Sequence, residues 1–464
     1  MPEILQNSYK RLCFSLLLLV ITSTTICPIA WAACAKNVIL MISDGAGFNA
    51  FDCAGYYQHG KLGEQVYDKF PVRLGCTTYS AENADGYEPD KFWSEFKYAR
   101  KKPTDSAAAA TALYTGVKTE NGRLCTDSQG RKLLTIAEIA DAAGKSTGTI
   151  SSVMFSHATP AAVWAHNDSR DEYEQIAKEM ISGSGLDVIM GCGHPRYDDN
   201  GKLLPMDDWE TEYCGGDDMF ADILTASTKR GWTFIESKHD FLALAENSAP
   251  VFGRVLGVAQ CRQTLQYNRD GEGMGNLNRN VPSLANMAGA AINVLARNED
   301  GFFLMIEGGA VDWAGHDNNL ARIIEEQIDF NNAVEAVVKW VRTESSWEET
   351  LLIITADHET GQLWGSRAGP KSPTPFNLPQ NKGAGNLPGA KFFSGDHTNA
   401  LVPIYAIGPG SELFEHFAKG KDTTAAQAWA FSGSYVDNTD VFKVMKEAVR
   451  VPVKTKAAMV QQKQ

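Results

Sequence analysis

The sequence lacks the features of a nucleic-acid-binding or membrane-spanning protein. It has no dense run of basic residues, and 43 lysines and arginines face 56 aspartates and glutamates, a formal net charge of −13 over 464 residues. An acidic surface repels phosphate backbones, so nucleic acid is not predicted as a specific partner. Beyond the N-terminus no apolar segment is long enough to cross a bilayer, so no membrane span is predicted. The 44% of hydrophobic residues are instead typical of a globular protein with a large core.

The N-terminal segment has the pattern of a secretory signal peptide. Lys10 and Arg11 precede an apolar stretch at residues 14–20, and Ala30 and Ala32 place small residues before a predicted cleavage point. We therefore expect residues 1–32 to be removed and the mature protein to be periplasmic or secreted. Cys34, next to this point, leaves lipid attachment as an alternative, although the preceding sequence fits such a signal poorly.

Cysteine usage does not by itself define a site. Seven of the nine cysteines follow the predicted cleavage point, an odd number that leaves at least one unpaired. None of them has the close spacing of a structural zinc knuckle or a redox motif, so disulfides or buried thiols are expected.

Three apolar runs predict buried strands of a parallel sheet. Residues 38–42, 302–306 and 351–354 are continuous apolar runs, and each is followed by an acidic residue: Asp44, Glu307 or Asp357. Continuous rather than alternating runs suit strands that are buried on both faces. Because ligand sites in such sheets form at the carboxyl ends of the strands, the three acids are expected to converge.

Helical patterns alternate with these runs and predict a layered α/β fold. They cover residues 105–114, 134–143, 171–180, 282–297, 320–342 and 437–449. No repeat or dividing linker is evident, so residues 33–464 are predicted to form one domain. Two stretches, near residues 191–218 and 366–395, are predicted to be inserted loops because they are rich in turn-forming residues.

A set of carboxylates and histidines predicts a metal centre. Asp312 and His316 are four residues apart, so a helical turn or a tight loop can bring both to one ion. This mixture of ligands favours zinc, with room for a harder ion beside it. The seven predicted ligands are Asp44, Glu307, Asp312, His316, Asp357, His358 and His397.

Ser106 is the predicted nucleophile. It begins an alanine-rich helical pattern, where free backbone N–H groups and the helix dipole favour an anion and small side chains allow close approach. The alternative is an ordinary N-terminal capping serine. Arg170 is a candidate for bidentate binding of a tetrahedral oxyanion, and the Thr159 hydroxyl is a candidate ligand of a hard ion.

The chain as a whole resembles the alkaline phosphatases. The resemblance extends over about residues 37–448, and its motifs occur in the family's order. They lie at residues 44–47, 104–108, 307–309, 312–316, 355–361 and 396–398. The resemblance implies an alkaline-phosphatase-like three-layer sandwich with a large, mostly parallel central sheet and helices on both faces. It also implies hydrolysis of small-molecule phosphate monoesters.

The resemblance further implies a role for each matched residue. Ser106 would form a phosphoserine intermediate, and Arg170 would hold two phosphate oxygens. The ligand sets are Asp312, His316 and His397 for one Zn²⁺; Asp44, Asp357 and His358 for a second Zn²⁺; and Asp44, Thr159 and Glu307 for one Mg²⁺. Family members are often dimers, so a homodimer is one expectation and a monomer the other.

Two positions depart from the best-known bacterial pattern. His157 stands beside the third metal site where some family members have aspartate, and Trp313 stands beside the phosphate where some have lysine, while other members resemble this chain at both positions. We expect His157 to alter Mg²⁺ affinity as a neighbour or ligand of that site. We expect Trp313 to contact the substrate and to change phosphate affinity or product release.

Other functions remain as alternatives. A phosphodiesterase or nucleotide pyrophosphatase of the same superfamily is the first, although such enzymes commonly use threonine as the nucleophile. A sulfatase would need Pro and Arg after the nucleophile, which residues 106–109 lack. A phosphoglycerate mutase would be expected in the cytoplasm. A non-catalytic exported metal- or phosphate-binding protein would need the ligands but not Ser106.

Overall fold

One large sheet organises the part of the chain that the computed structural model describes, which is residues 34–83, 85–225, 231–248 and 253–449. The strands, in chain order, are β1 (Asn37–Ser43), β2 (Val72–Thr77), β3 (Ser146–Met154), β4 (Val188–Cys192), β5 (Trp232–Ile235), β6 (Arg254–Val258), β7 (Phe302–Gly308), β8 (Thr350–Thr355), β9 (Glu359–Thr360), β10 (Trp364–Gly365), β11 (Ala390–Lys391), β12 (His397–Thr398), β13 (Val402–Ile407), β14 (Gly420–Lys421) and β15 (Ser434–Asp437). Within these ranges the large sheet has eleven strands in the order β14-β15-β2-β13-β8-β1-β7-β3-β4-β6-β5.

The predicted strands lie at the centre of this sheet. β1 pairs in parallel with β7 on one side and with β8 on the other, and all residues of these three strands are buried. Strands buried on both faces have no polar side to alternate, which explains the continuous apolar runs. The antiparallel strand β13 interrupts the parallel order next to β8, so the sheet is mostly rather than wholly parallel.

The helices form two layers. In chain order they are α1 (Phe48–His59), α2 (Pro89–Ser94), α3 (Ser106–Thr115), α4 (Ile136–Ala142), α5 (Ala158–Ala161), α6 (Tyr173–Lys178), α7 (Gly216–Thr225), α8 (Lys238–Ala245), α9 (Leu284–Leu295), α10 (Ala310–His316), α11 (Leu320–Glu344), α12 (Leu413–His416), α13 (Thr423–Trp429) and α14 (Asn438–Ala448). α1, α8, α9 and α11 pack together in one layer, and α3, α4, α5 and α14 pack together in the other. The six predicted helices are found, with ends that differ by no more than two residues from the pattern.

The prediction of an α/β fold with helices on both faces is confirmed. The predicted signal peptide, residues 1–32, lies outside the described residues. Among the described helices, none has the length and apolar character needed to cross a bilayer. The seven cysteines from Cys34 to Cys261 are free thiols, and the Sγ atoms of Cys192 and Cys261 lie 3.1 Å apart.

Candidate active site

The carboxyl ends of the central strands bring the predicted acids together. The register of β1 and β7 places Ile42 beside Glu307, and the backbone N–H of Asp44 donates to the carbonyl of Gly308 at 3.1 Å. Asp357 follows β8, and its carboxylate accepts the N–H of Gly45 at 3.1 Å. Parallel pairing of neighbouring strands therefore gathers acids that are hundreds of residues apart in the chain.

The first donor cluster consists of Asp312, His316 and His397. α10 carries both Asp312 and His316, so of the two geometries that the four-residue spacing allowed the structure has the helical turn. His316 Nε2 lies 3.4 Å from Asp312 Oδ2 and 3.0 Å from His397 Nε2. The remaining ring nitrogens contact only carbonyl oxygens, His316 Nδ1 that of Gly395 at 2.7 Å and His397 Nδ1 that of Thr104 at 2.8 Å. A carbonyl can only accept, so both Nδ1 atoms carry a proton, and both Nε2 atoms face the same point beside Asp312. This arrangement suits a cation.

The second donor cluster consists of Asp44, Asp357 and His358, all fully buried. One ligand atom from each of the three lies within 4.8 Å of the other two. His358 also lies within this distance of Asp312 and His397, so the two clusters adjoin at its ring. Its Nε2 is 3.2 Å from Asp357 Oδ2 and 3.6 Å from Asp44 Oδ1.

A third group of oxygens lies beside the second cluster. Glu307 is fully buried, and one of its carboxylate oxygens accepts a hydrogen bond from Ser151. Its other oxygen and the Thr159 hydroxyl are buried without a hydrogen-bond partner. An all-oxygen environment of this kind fits Mg²⁺ better than it fits Zn²⁺.

Unpaired charge shows that cations fit this site. Both carboxylate oxygens of Asp44 and one of Asp357 are buried without a hydrogen-bond partner. Burial and the neighbouring carboxylates raise the pKa of Asp44 well above its usual range, and burial and nearby Asp357 raise the pKa of Glu307 to about 7. Buried acids that cannot find partners are stabilised by metal ions, so the residues present fit the metals that the sequence predicts.

Ser106 begins α3 at the edge of these clusters. Asp105 caps the helix, because its carboxylate accepts the N–H of Ala108 at 2.9 Å. All ten residues of α3 are buried. Small alanine side chains therefore allow the helix to pack closely next to the site. Ser106 Oγ lies 3.2 Å from His358 Nε2, within reach of the second cluster.

Arg170 faces the same region and is held by two side chains. Its Nη1 donates to Asp105 Oδ2 at 2.9 Å, and its Nη2 donates to His157 Nε2 at 3.1 Å. Burial and the charge of Arg170 lower the pKa of His157 to about 3, so this imidazole is neutral and can accept the bond. Asp105 therefore caps the helix of Ser106 and also orients Arg170.

An open cavity of about 360 Å³ lies above Ser106. Trp313 lines it, and its ring meets that of His157 edge-on at a centroid distance of 5.9 Å. All the predicted site residues thus lie in or next to this cavity and the two clusters beneath it. The cavity is lined by Ser106, His157, Arg170, Tyr267, Asn268, Asp312, Trp313, His316, Asp317 and His397.

Several residues that shape or support the site were not predicted from the sequence. Asp105 could have been noticed, because it is an acid directly before the predicted nucleophile. Thr360 follows the Asp357-His358 motif and donates a hydrogen bond to Asp312. Tyr267 and Asn268 lie in a polar loop without a motif, and no signal in the sequence points to them.

The sequence and the structure are both similar to known alkaline phosphatases. The sequence model of the alkaline phosphatase family matches residues 35–384. Alkaline phosphatase 3 of Bacillus subtilis is 31% identical over 70% of this chain and 61% of its own length. Alkaline phosphatase of Escherichia coli is 33% identical over 70% of each chain. The crystal structure of a cold-active alkaline phosphatase from Shewanella sp. covers 89% of this chain and all of its own, at 25% identity and a TM-score of 0.63.

The fold and these matches define a member of a phosphatase superfamily with a three-layer α/β architecture. The chain belongs to the alkaline phosphatase family, a family of phosphatase enzymes. The resemblance and the alkaline-phosphatase-like fold that the sequence predicted are both confirmed.

Proposed function

We propose that this protein hydrolyses small-molecule phosphate monoesters through a phosphoserine formed on Ser106. The observation that carries the proposal is the position of Ser106 Oγ, 3.2 Å from His358 Nε2. His358 is the side chain at which the two carboxylate and histidine clusters adjoin. A hydroxyl at this position faces the cavity and both clusters at once.

Each proposed step uses a group of this chain. Arg170 binds two oxygens of the transferred phosphoryl group, in an orientation that Asp105 and His157 hold. Ser106 Oγ gives up its proton to water and forms a bond to phosphorus while the bond from phosphorus to the leaving oxygen breaks, and that oxygen takes a proton from water to leave as the alcohol. Water then attacks the phosphoserine, releasing inorganic phosphate and restoring the serine. Arg170 favours a monoester because a monoester carries more negative charge than a diester.

The proposal includes two Zn²⁺ ions and one Mg²⁺ ion. Asp312, His316 and His397 would hold the first zinc, and Asp44, Asp357 and His358 the second. Asp44, Thr159 and Glu307 would hold the magnesium. When bound, the ions would supply Lewis-acid stabilisation of the attacking and leaving oxygens.

The test is mass spectrometry of the metal-loaded protein after brief incubation with an aryl phosphate and an acid quench. We expect a phosphoryl group on Ser106, about two zinc ions per chain and turnover at alkaline pH. Ser106→Ala should lose at least about a thousandfold in kcat. Ser80→Ala removes a similarly buried serine that is outside both donor clusters and the cavity lining, and it should keep both the phosphoserine and the turnover.

Two results would overturn the proposal. Bound metal without phosphoserine and without aryl phosphate turnover would favour a non-catalytic metal- or phosphate-binding protein. Faster hydrolysis of diesters than of monoesters would favour a phosphodiesterase.

A further inference from the structure

One wall of the cavity is aromatic, although its floor is polar and charged. Tyr267 and Trp313 line the cavity together with Ser106 and Arg170. Both aromatic side chains are only partly buried, and both pack on a small apolar cluster that contains Val153. Their remaining surface is therefore available to whatever enters the cavity.

Both aromatic side chains are held in place. The Tyr267 hydroxyl donates a hydrogen bond to the carboxylate of Asp317, which follows α10 directly. Trp313 lies within α10 and contacts the ring of His157 edge-on. α10 thus provides Trp313 and the anchor of Tyr267, so the position of both side chains is tied to one short helix.

The loop that carries Tyr267 is fixed by two buried arginines. Arg322, of which only 1% is exposed, donates to the backbone carbonyls of Gln266, Arg269 and Gly271. Arg269 is 5% exposed, pairs with Glu325 at 2.6 Å and donates to carbonyls of the same loop. Removing a guanidinium from water is costly, and here both guanidinium groups are compensated by carbonyls of this loop and by Glu325 of α11. The loop therefore presents Tyr267 in a preorganised position.

We propose that Tyr267 and Trp313 form a subsite for a planar aromatic leaving group. This inference rests on the proposed function, in which the phosphoryl group occupies the floor between Ser106 and Arg170. The alcohol portion of the ester then extends into the cavity, where the aromatic wall is the apolar surface that it meets. Aromatic rings attract one another beyond their simple burial, through stacked and edge-to-face contacts. The preferred substrates are esters whose alcohol carries a flat ring next to the phosphate.

The test compares two esters that differ in planarity. Benzyl phosphate and cyclohexylmethyl phosphate have leaving alcohols of similar size, but only the first has an aromatic ring, and because its alcohol is slightly more acidic the wild-type ratio is judged against the ratio in Tyr267→Leu. We expect kcat/KM for the benzyl ester to be about fivefold higher, which is the effect of one aromatic contact. Equal kcat/KM values for the two esters would overturn the subsite.

Variants of Tyr267 test whether the aromatic wall causes the higher kcat/KM for the benzyl ester. In Tyr267→Leu, which keeps apolar bulk without a ring, the ratio of the two kcat/KM values should fall towards one. Tyr267→Phe keeps the ring and should retain most of the preference. An undiminished ratio in Tyr267→Leu would overturn the assignment.

Inhibitor binding separates this inference from the proposed function. Benzylphosphonate and cyclohexylmethylphosphonate have a P–C bond in place of the ester and are not hydrolysed, so the ratio of their Kd values on the wild-type protein reports the contribution of the ring. Tighter binding of benzylphosphonate supports the aromatic wall even if Tyr267→Leu does not fold, and equal Kd values contradict it. If the wild-type protein hydrolyses neither ester but prefers benzylphosphonate, the proposed function fails and the subsite stands.

Discussion

His316 and His397 point their Nε2 atoms at each other across 3.0 Å, while each Nδ1 atom lies against a backbone carbonyl. The two Nδ1 protons are used on these carbonyls, so both Nε2 atoms are directed at the same point. Asp312 approaches both rings, at 3.4 Å from each Nε2. The pair is therefore arranged for a cation rather than for a direct contact.

The first prediction concerns metal removal. Chelation should lower the thermal unfolding midpoint, because cations bind the folded clusters and stabilise the folded state by about 2.7 kcal/mol at a hundred times Kd. Addition of Zn²⁺ should restore the midpoint in the wild-type protein and much less in His397→Asn. His59→Asn, at the end of α1, is a control that should respond like the wild type. Equal midpoints with and without chelator would contradict the prediction.

The second prediction concerns the link between Asp105 and Arg170. Asp105→Asn retains an oxygen that can cap α3 but removes the negative charge that orients the guanidinium. We expect inhibition by inorganic phosphate to weaken about fivefold, corresponding to roughly 1 kcal/mol for a partly exposed pair. Helix content by circular dichroism should stay unchanged. Phosphate inhibition identical to that of the wild type would show that Asp105 does not position Arg170.

The third prediction concerns Trp313. Trp313→Lys introduces a cation into the cavity that contains Ser106 and Arg170. Phosphate is an anion, so its inhibition constant should decrease, and release of product should slow. Steady-state inhibition by phosphate is the measurement. An unchanged constant would count against a role of Trp313 beside the phosphate.

The fourth prediction is a pH dependence of stability outside the site. Although burial opposes the charged form, bonds to Glu138 and Glu179 raise the pKa of His166 to about 9. Its ordinary value is 6.5, so the stabilisation is fully present below about pH 6.5 and is lost as the pH rises through 9. The loss is on the order of 2 kcal/mol after allowance for solvent.

Thermal unfolding at pH 6 and pH 10 checks this dependence. The unfolding midpoint of the wild-type protein should fall more between these pH values than that of His166→Gln, whose amide does not titrate. A parallel fall in both proteins would remove His166 as the cause.

The fifth prediction concerns the N-terminus. If residues 1–32 are a signal peptide, the exported protein should begin at Ala33. N-terminal sequencing of the mature protein decides this, and an intact Met1 would contradict it.

The central strands could be predicted because their local sequence reflects burial on both faces of the sheet. The continuous apolar runs of β1, β7 and β8 are possible only where both faces of a sheet are covered, so burial and strand type follow from composition alone. The carboxylates and histidines were predictable for a related reason. Metal chemistry accepts few side-chain types, and these types recur at the ends of the strands.

Tertiary structure alone decided what surrounds the reacting groups. Tyr267 reaches the cavity because Arg322, 55 positions further along the chain, binds the carbonyls of its loop. Nothing near Tyr267 in the sequence differs from an ordinary polar loop. The contact between Arg322 and this loop forms because the two are close in space, although they are far apart in the chain. A sequence motif is recognised by spacing along the chain, so it does not reveal such a contact. The sequence by itself therefore determined the sheet and the reactive side chains, and only folding determined which surface the leaving group meets.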